Sequence, residues 1–502
     1  MADLTLDEDP TATGTGRHRR AAPPAPTRPP AHRRRWQRLA LPVGILGVAV
    51  GCLLCWRVAL HAGIFDDTFW HQAAGRWMLD HHRVMRRDVF SYTVRGAPWS
   101  TPEWGYDVSL AAAVRALGPV AFWLFSAGLG SVVVGLVALR SRMLGAGWTW
   151  TGLLCVEAGA AVALFLDDRP QTVSYVLFAA LLVLLGAARR RAGWLWCVPA
   201  VFLAWANVHG SFLLGLLVVA GEAFTAYVPV RIGRVSAADP LPRRRVTVVL
   251  VASVAATLVN PFGPHVYSSA LGVTLNPTVR RLITEWQPLG LQHPAMVALV
   301  AVPLVYSVAR LAFSRVEVDA LDLALSAALL AATLDSERFL PYFAIAWCGL
   351  AARTAPVDRR RETVGPSLVV WPLLAALTVV FLYGSWYPPG QPASSVPVRA
   401  VDALGPRPGR VFSTYVWNDY LIWRNLPVFI DGRTELYTGT PVFGDYLAVA
   451  GLRTRPDPVL RRYGVREVLW PAQSPLSRAL AHDPHWVVAW RSPQAVVFRW
   501  AG

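Results

Sequence analysis

The sequence has few charged residues, few cysteines and no lysine. Charged residues make up 16% of the 502 positions, whereas a soluble chain normally has about 25%. So little charge excludes a secreted enzyme, a cytosolic enzyme and a disordered scaffold. Hydrophobic residues make up 54%, mean hydropathy is +0.38, and several apolar runs of roughly 15–22 residues match the length that crosses a bilayer. The sequence therefore predicts a polytopic membrane protein.

Nucleotide-binding motifs are also missing. No GxxxxGK[ST] is present, no GxGxxG follows a predicted strand, and no predicted inner loop is long enough for a nucleotide-binding domain. The net charge of +17 comes from arginines in the N-terminal tail and short loops, where they orient helices, so nucleic-acid binding is the weaker interpretation. The five cysteines lie in apolar runs and form no disulfide or metal-binding pattern.

Arginine clusters separate the inner ends of the apolar runs from the outer ends. By the positive-inside rule, the chain leaves a disordered Arg- and Pro-rich tail (residues 1–38) and crosses the plasma membrane about eleven times. The predicted spans are 39–60, 119–139, 147–166, 172–188, 194–209, 211–230, 246–260, 294–313, 319–334, 339–352 and 366–384. This path predicts a cytoplasmic N-terminus, an extracytoplasmic C-terminus and a multi-pass helical membrane protein.

Two predicted outer segments are too long to be turns. Segment 61–118 contains FWHQAAGRWML, whose spacing predicts an amphipathic helix lying in the membrane interface. Segment 385–502 has apolar, strand-like runs with helix-like segments between them, which predicts a small extracytoplasmic α/β domain. The strand-like runs are 411–414, 428–430, 468–470, 487–490 and 495–498. Segment 39–384 would form the transmembrane domain.

The candidate reactive groups lie in the predicted outer segments, where cells keep no nucleotide-activated sugars. An enzyme acting there would need a donor carried in the lipid. Asp66 and Asp67 follow the first span, where a carboxylate could act as a general base toward an acceptor hydroxyl or bind a divalent ion. The alternative is that this pair caps the helix that follows.

Several motifs together resemble a known group of membrane proteins. The first outer loop contains D-x-x-W-H-x-x-x-G-R, then R-D-x-F-S-Y-T, G-x-x-W and E-W. Further patches are DDRPQ at 167–171, WANVHGSF at 205–212, VNPFG at 259–263, EWQP at 285–288, ERFLPYF at 337–343 and FIDGRTELY at 429–437. The set resembles bacterial GT-C-like proteins, which are similar to glycosyltransferases using polyprenyl-phosphate sugars, such as protein mannosyltransferases and lipid A aminoarabinose transferases.

The resemblance implies a GT-C-like fold and the transfer of a sugar from a polyprenyl-phosphate donor to a hydroxyl of a glycan, lipid or protein acceptor. It implies that the catalytic carboxylate is Asp67, with Asp66 as its neighbour, and that Asp167 and Asp168 lie near the donor phosphate. Neither the first outer loop nor the next one, which contains Asp167 and Asp168, has a D-x-D motif. Dependence on Mg or Mn is therefore left open, with Asp67 and Asp168 as the ligands if a metal binds.

Other polar residues are candidates for binding the substrates. Arg169 and Arg338 are predicted at outer helix ends, where an arginine runs against the orientation rule and could bind the phosphate; each could instead pair with a neighbouring acid. His71 and His209 could orient the acceptor or the phosphate. Glu103 and Glu285 each stand beside a tryptophan, a combination suited to a sugar, although aromatic residues are also common at membrane interfaces.

Two other functions remain open at this point. Glu157, Glu222 and Asp322 lie inside predicted spans, where carboxylates are costly and often form proton relays. They favour a secondary transporter or lipid flippase, although no inverted repeat is visible. The third possibility is a non-catalytic scaffold whose outer domain binds envelope polymer.

Overall fold

The protein has a helical part followed by a C-terminal part built on a small mixed sheet. The computed structural model describes residues 31–61, 63–64, 67–237, 240–275, 277, 280, 284–355 and 390–502. The predicted last span, 366–384, lies outside these residues. Asp66 does too.

Helices form at every other predicted span. Their bounds are Ala31–His61, Val120–Met143, Trp148–Ala163, Pro170–Arg190, Ala192–Ala206, Phe212–Tyr227, Arg243–Thr257, Pro294–Phe313, Ala320–Asp335 and Leu340–Thr354, with a further helix at His265–Leu275. Within the described residues, four helices are long and apolar enough to cross a membrane: Val43–His61, Val120–Met143, Pro170–Arg190 and Pro294–Phe313. The chain thus has membrane-spanning helices, while the count of eleven stays a prediction.

The first helix begins earlier than expected. It starts at Ala31, within the segment 1–38 that the sequence predicts to be disordered. Residues 31–41 contain good helix formers and no glycine or proline, which accounts for the extension.

The first long loop contributes two helices, Thr68–His81 and Trp104–Leu117, that pack closely together. The predicted amphipathic helix therefore exists, and most of its residues are buried within the protein, against the second helix and against Tyr415–Trp423 of the C-terminal part. The helices can approach because Gly75 has no side chain: a Cβ there would lie 1.9 Å from the carbonyl oxygen of Asp107.

The C-terminal part is the expected α/β domain. Three two-residue strands of the helical part come first in the chain: β1 (Arg231–Ile232), β2 (Val235–Ser236) and β3 (Val318–Asp319). The C-terminal sheet has β4 (Arg410–Ser413), β5 (Val465–Pro471), β6 (Trp486–Arg491) and β7 (Ala495–Trp500) in the order β4-β5-β7-β6. Strands β4 and β5 pair in parallel, and the other two pairs are antiparallel. Its helices are Val398–Leu404, Tyr415–Trp423, Thr434–Tyr437, Pro441–Ala450, Pro456–Arg462 and Pro475–Ala481.

The predicted strand 428–430 is not a strand of this sheet. Val428 instead forms isolated bridges to Ser91 of the first loop and to Val411. The segment is extended because it lies between two parts of the chain. The first loop and the C-terminal domain consequently share one hydrophobic core, in which the ring of Phe69 lies 5.1 Å from that of Tyr420.

Candidate active site at the junction of the two parts

The candidate residues lie at helix ends that meet at one end of the helical part. Asp67 precedes helix Thr68–His81, and Arg169 precedes helix Pro170–Arg190. Glu285 and Arg338 lie in short 3-10 turns, Thr284–Trp286 and Glu337–Phe339. Contacts join these loops: Thr68 donates to the carbonyl of Asp168, and Ser336 donates to the carbonyl of Glu285.

Asp67 stands at the N-cap position of its helix but does not cap it, because its side chain makes no hydrogen bond to a backbone N–H of the first turn. Its Oδ1 accepts a hydrogen bond from Trp70 Nε1 at 3.1 Å, and its Oδ2 accepts one from Arg169 Nη1 at 3.2 Å. Both oxygens are thus held, and the side chain keeps 26% of its surface exposed. A carboxylate fixed in this way can receive a proton from a bound hydroxyl group.

Arg169 joins three carboxylates from three separate segments. Besides Asp67, its Nε donates to Asp167 Oδ2 at 2.5 Å and its Nη2 donates to Glu285. The guanidinium group is only 12% exposed. The sequence left two alternatives for Arg169, binding the phosphate or pairing with an acid. In the structure Arg169 is paired with acids.

The DDRPQ acids differ from each other in their surroundings. Burial raises the pKa of Asp167 to about 6, although the Arg169 charge acts against the shift. Burial also raises the pKa of Asp168 well above its usual range, and the neighbouring Asp167 charge adds to this. Asp168 Oδ1 is buried without a hydrogen-bond partner among the described residues. Only Asp167 touches Arg169, so the two acids are not equivalent.

His71 is buried in the wall behind Asp67. Its ring stacks on Trp70 with the centroids 3.6 Å apart, and its Nδ1 lies 2.6 Å from Asp107 Oδ1. Burial lowers the pKa of His71 to about 3 and raises the pKa of Asp107 well above its usual range. Sequence reasoning missed Asp107. The available signal was the one acid of the helix Trp104–Leu117, close to its N-terminus.

Two glutamates, Glu103 and Glu435, lie close enough to each other for their charges to interact. Burial, and then the charges of Asp107, Glu435 and Asp67, raise the pKa of Glu103 well above its usual range. Glu435 belongs to the C-terminal domain, is reachable by solvent, and accepts a hydrogen bond from Trp99 Nε1 at 3.0 Å. Glu435 lies inside FIDGRTELY, yet sequence reasoning did not select it.

Arg338 lies over the ring of Trp286, with its Cζ 4.2 Å from the ring centroid. Among the described residues no carboxylate is within ion-pair distance of Arg338, although its charge and that of Arg169 hold the pKa of Glu285 below its usual value against the effect of burial. Arg338 is half-buried. Because no carboxylate of the described residues pairs with it, its guanidinium group is available to bind an anion. The cation–π contact holds it in place.

His209 lies in a turn beside a hydroxyl network rather than beside an acid. Its Nδ1 is 2.8 Å from Ser211 Oγ, which also accepts hydrogen bonds from Tyr342 and Trp205. Asn207, two positions earlier in the same motif, accepts from Trp104 Nε1 at 2.8 Å. The WANVHGSF patch therefore contacts the first loop and helps to hold it in position.

The DGR turn of the C-terminal domain closes the site. Arg433 is fully buried and pairs with Asp431 and with Asp88 of the first loop, at 2.6 and 2.7 Å. Its guanidinium also lies over the rings of Trp99 and Phe90. This buried cluster fixes the C-terminal domain against the loop that contains Asp67.

Two of the three acids inside the predicted spans have arginine partners at the opposite end of the helical part. Asp322 pairs with Arg140 at 2.7 Å and with Arg353 at 2.6 Å. Glu222 pairs with Arg189 at 3.0 Å. Asp322 and Glu222, two of the three acids considered for a proton relay, are therefore paired with arginines of other helices, which neutralise their charge. Glu157 Oε1 is buried and has no hydrogen-bond partner among the described residues.

Comparisons with known proteins identify the fold. No family model and no curated protein sequence matches the chain. Solved structures do match it, and two of the proteins among them are an oligosaccharyltransferase and ArnT. The apo oligosaccharyltransferase of Archaeoglobus fulgidus superposes with a TM-score of 0.59 at 11% identity, covering 88% of this chain and 70% of that one. ArnT from Cupriavidus metallidurans gives 0.52 at 14% identity in the apo state, covering 90% and 97%, and 0.50 at 14% identity when bound to undecaprenyl phosphate, over the same shares.

Identities this low establish the fold alone. The match runs over most of the chain and includes both the helical part and the C-terminal domain. The chain therefore has the fold of GT-C membrane glycosyltransferases, as the resemblance in its motifs predicted.

Proposed function

We propose that the protein is a membrane glycosyltransferase that moves a sugar from a polyprenyl-phosphate donor to an acceptor hydroxyl on the extracytoplasmic face. The observation that carries this proposal is the position of Asp67, held by Trp70 and Arg169 in a partly open site within a chain of GT-C fold. Arg338, which has no acidic partner among the described residues, lies on Trp286 at the same end.

The groups in the site suit a single inverting displacement. The acceptor oxygen would form a bond to the anomeric carbon as the bond from that carbon to the phosphate oxygen breaks, and the electron pair would leave on the phosphate. Asp67 would take the acceptor proton. Arg338 would stabilise the charge that develops on the phosphate, because guanidinium groups bind phosphate through paired hydrogen bonds.

The orientation in the membrane supports a lipid-borne donor. The helix ends opposite the site contain Arg140, Arg189 and Arg353, and arginine-rich ends face the cytoplasm in most membrane proteins. The site then opens on the side where nucleotide sugars are absent. One structural neighbour was solved with dolichol-phosphate and an inhibitory peptide, and the other with undecaprenyl phosphate.

The test is transfer by the purified protein in lipid nanodiscs. Undecaprenyl-phosphate-linked hexoses and pentoses serve as donors, and release of undecaprenyl phosphate is measured by chromatography. We expect Asp67→Asn to reduce transfer by about 100-fold or more, the usual contribution of a general base. Asp80→Asn is the matched control, because Asp80 ends the same helix in an exposed pair with Arg115.

Two results would contradict the proposal. One is full transfer by Asp67→Asn, because this result would show that Asp67 is not the base. The other is failure of the wild-type protein to bind undecaprenyl phosphate or to release it from any donor, which would favour the scaffold function.

A further inference from the structure

Arg169 occupies the space between the acids that a divalent cation would need. Its three nitrogens each donate to a different carboxylate, from Asp67, Asp167 and Glu285. These partners come from three separate loops, so one guanidinium group joins the loops that build the site. Each nitrogen of Arg169 already donates to a carboxylate, so the charge of this guanidinium group is committed to the acids of the site.

The carboxylates of the site do not fit a divalent cation in this arrangement. A bound Mg²⁺ or Mn²⁺ needs several oxygens at about 2.0–2.2 Å from one point, so the ligand atoms must lie within a few ångströms of one another. In the described part of the chain, the only group of three or more acids or histidines that meets this requirement is Asp457, Asp483 and His485, in the C-terminal domain. At the cleft, the guanidinium of Arg169 stands where the ion would be.

The charges give the physical reason for a fixed cation at this point. Two carboxylates about 4 Å apart repel each other by about 4 kcal/mol at an effective dielectric constant of 20. Arg169 reduces this repulsion within a set of three acids, and its charge also acts to keep Asp167 and Glu285 ionised. A polyprenyl phosphate that enters would meet a less negative site, and its own charge would face Arg338.

We infer that Arg169 takes the place of a divalent cation in this protein and that sugar transfer proceeds without one. This inference rests on the proposed function. Arg169 is a positioning residue: it holds Asp67 Oδ2 while Trp70 holds Oδ1, and so it aims the base at the acceptor hydroxyl. The bonds formed and broken are those of the displacement described above. No further reactant is needed.

The first test measures transfer with and without metal. Wild-type activity should be unchanged by EDTA and by added Mg²⁺ or Mn²⁺. Arg169→Ala should lose about 100-fold or more, and guanidinium ion or Mn²⁺ should restore part of that loss. Arg169→Lys should keep partial activity because it keeps the charge. A residue with a merely structural role would not show rescue by a small cation.

The second test measures metal binding without any activity. Mn²⁺ is titrated into the protein and followed by electron paramagnetic resonance, with Asp483→Asn present throughout to remove the Asp457, Asp483 and His485 group. We expect no bound Mn²⁺ in this background. Adding Arg169→Ala should create a Mn²⁺ site, and adding Glu285→Gln to that protein should weaken it.

The outcomes separate the two proposals. Loss of wild-type transfer in EDTA, restored by Mg²⁺ or Mn²⁺, would overturn the metal-free inference and leave the glycosyltransferase intact. Tight Mn²⁺ binding with Arg169 present would overturn it as well. Absence of transfer under every metal condition would count against the proposed function, while the Mn²⁺ titration would still decide the role of Arg169. If Arg169→Ala does not fold, chelation and titration of the Arg169 protein give the answer.

Discussion

Gly432 of the C-terminal domain lies directly against Asp67. A Cβ atom on Gly432 would be 2.6 Å from Asp67 Oδ1 and 3.0 Å from Trp70 Nε1, distances at which something must move. Gly432 N donates to Asp419 Oδ1, so the turn is fixed on its other side. The C-terminal domain therefore forms part of the wall of the candidate site.

Adding one methyl group at this contact should disturb the base. We expect Gly432→Ala to displace Asp67 and to lower transfer by about 10–100-fold, because small misplacements of a reacting group are costly. Gly444→Ala is the control, since a Cβ there meets no atom within 4 Å. Equal transfer rates in the two variants would show that Gly432 is only a neighbour.

The buried pair of His71 and Asp107 should give the protein a pH-dependent stability. Because burial raises the pKa of Asp107, the folded state keeps a proton that the unfolded state releases, and the contribution of Asp107 to stability falls as pH rises from about 4 toward the folded-state pKa. The lowered pKa of His71 acts in the opposite direction between about pH 3 and 6.5, equally in wild type and in Asp107→Asn. The Asp107→Asn variant has no titratable group at this position. Its unfolding temperature relative to wild type should therefore increase with pH.

Thermal unfolding in nanodiscs at a series of pH values measures this difference. The exposed Asp80 offers the comparison: Asp80→Asn should follow the wild-type pH dependence. Parallel curves for wild type and Asp107→Asn would mean that Asp107 is ionised in the folded protein.

Arg433 should be essential for attaching the C-terminal domain. Arg433→Met would leave Asp88 and Asp431 buried without their cation, which typically costs about 3–5 kcal/mol. We expect a lower unfolding temperature and faster proteolysis after Arg433→Met. Arg462→Met, at an exposed pair with Asp445, should have little effect. Comparable losses in both variants would argue against a special role for the buried cluster.

Arg338 should control affinity for the donor phosphate. Arg338→Gln is expected to weaken undecaprenyl phosphate binding by about 10-fold or more, the effect of about 1.4 kcal/mol. Quenching of tryptophan fluorescence during titration measures it. Arg280→Gln is the control, because Arg280 already pairs with Asp335 on the surface. Unchanged affinity in Arg338→Gln would move the phosphate elsewhere.

Much of the fold could be predicted because apolar length and arginine position are local properties. Helices form at each predicted span up to residue 352, since a helix is the structure in which a single apolar segment satisfies its backbone hydrogen bonds by itself in lipid. The C-terminal strands were largely visible from their apolar runs. The segment 428–430 was misassigned because an extended segment that bridges two parts of a chain has the same composition as a sheet strand.

The site was predicted less completely. Asp67, Arg169 and Glu285 were each selected separately, and the structure places them in contact. Asp107 and Glu435 were not selected, because what distinguishes them is contact with His71 and Trp99, and neither neighbour is near them in sequence. The pairing of Asp322 with two arginines was equally invisible, so the sequence overstated the case for a proton relay.

The sequence by itself determined that this chain is a membrane protein and where its arginine-rich helix ends lie, because hydropathy and charge are properties of residues that are neighbours in the sequence. Only the tertiary structure decided which acids share a cation and which glycine touches the candidate base. Those relationships join loops more than a hundred residues apart, and their energy depends on distance and burial, which no local pattern records.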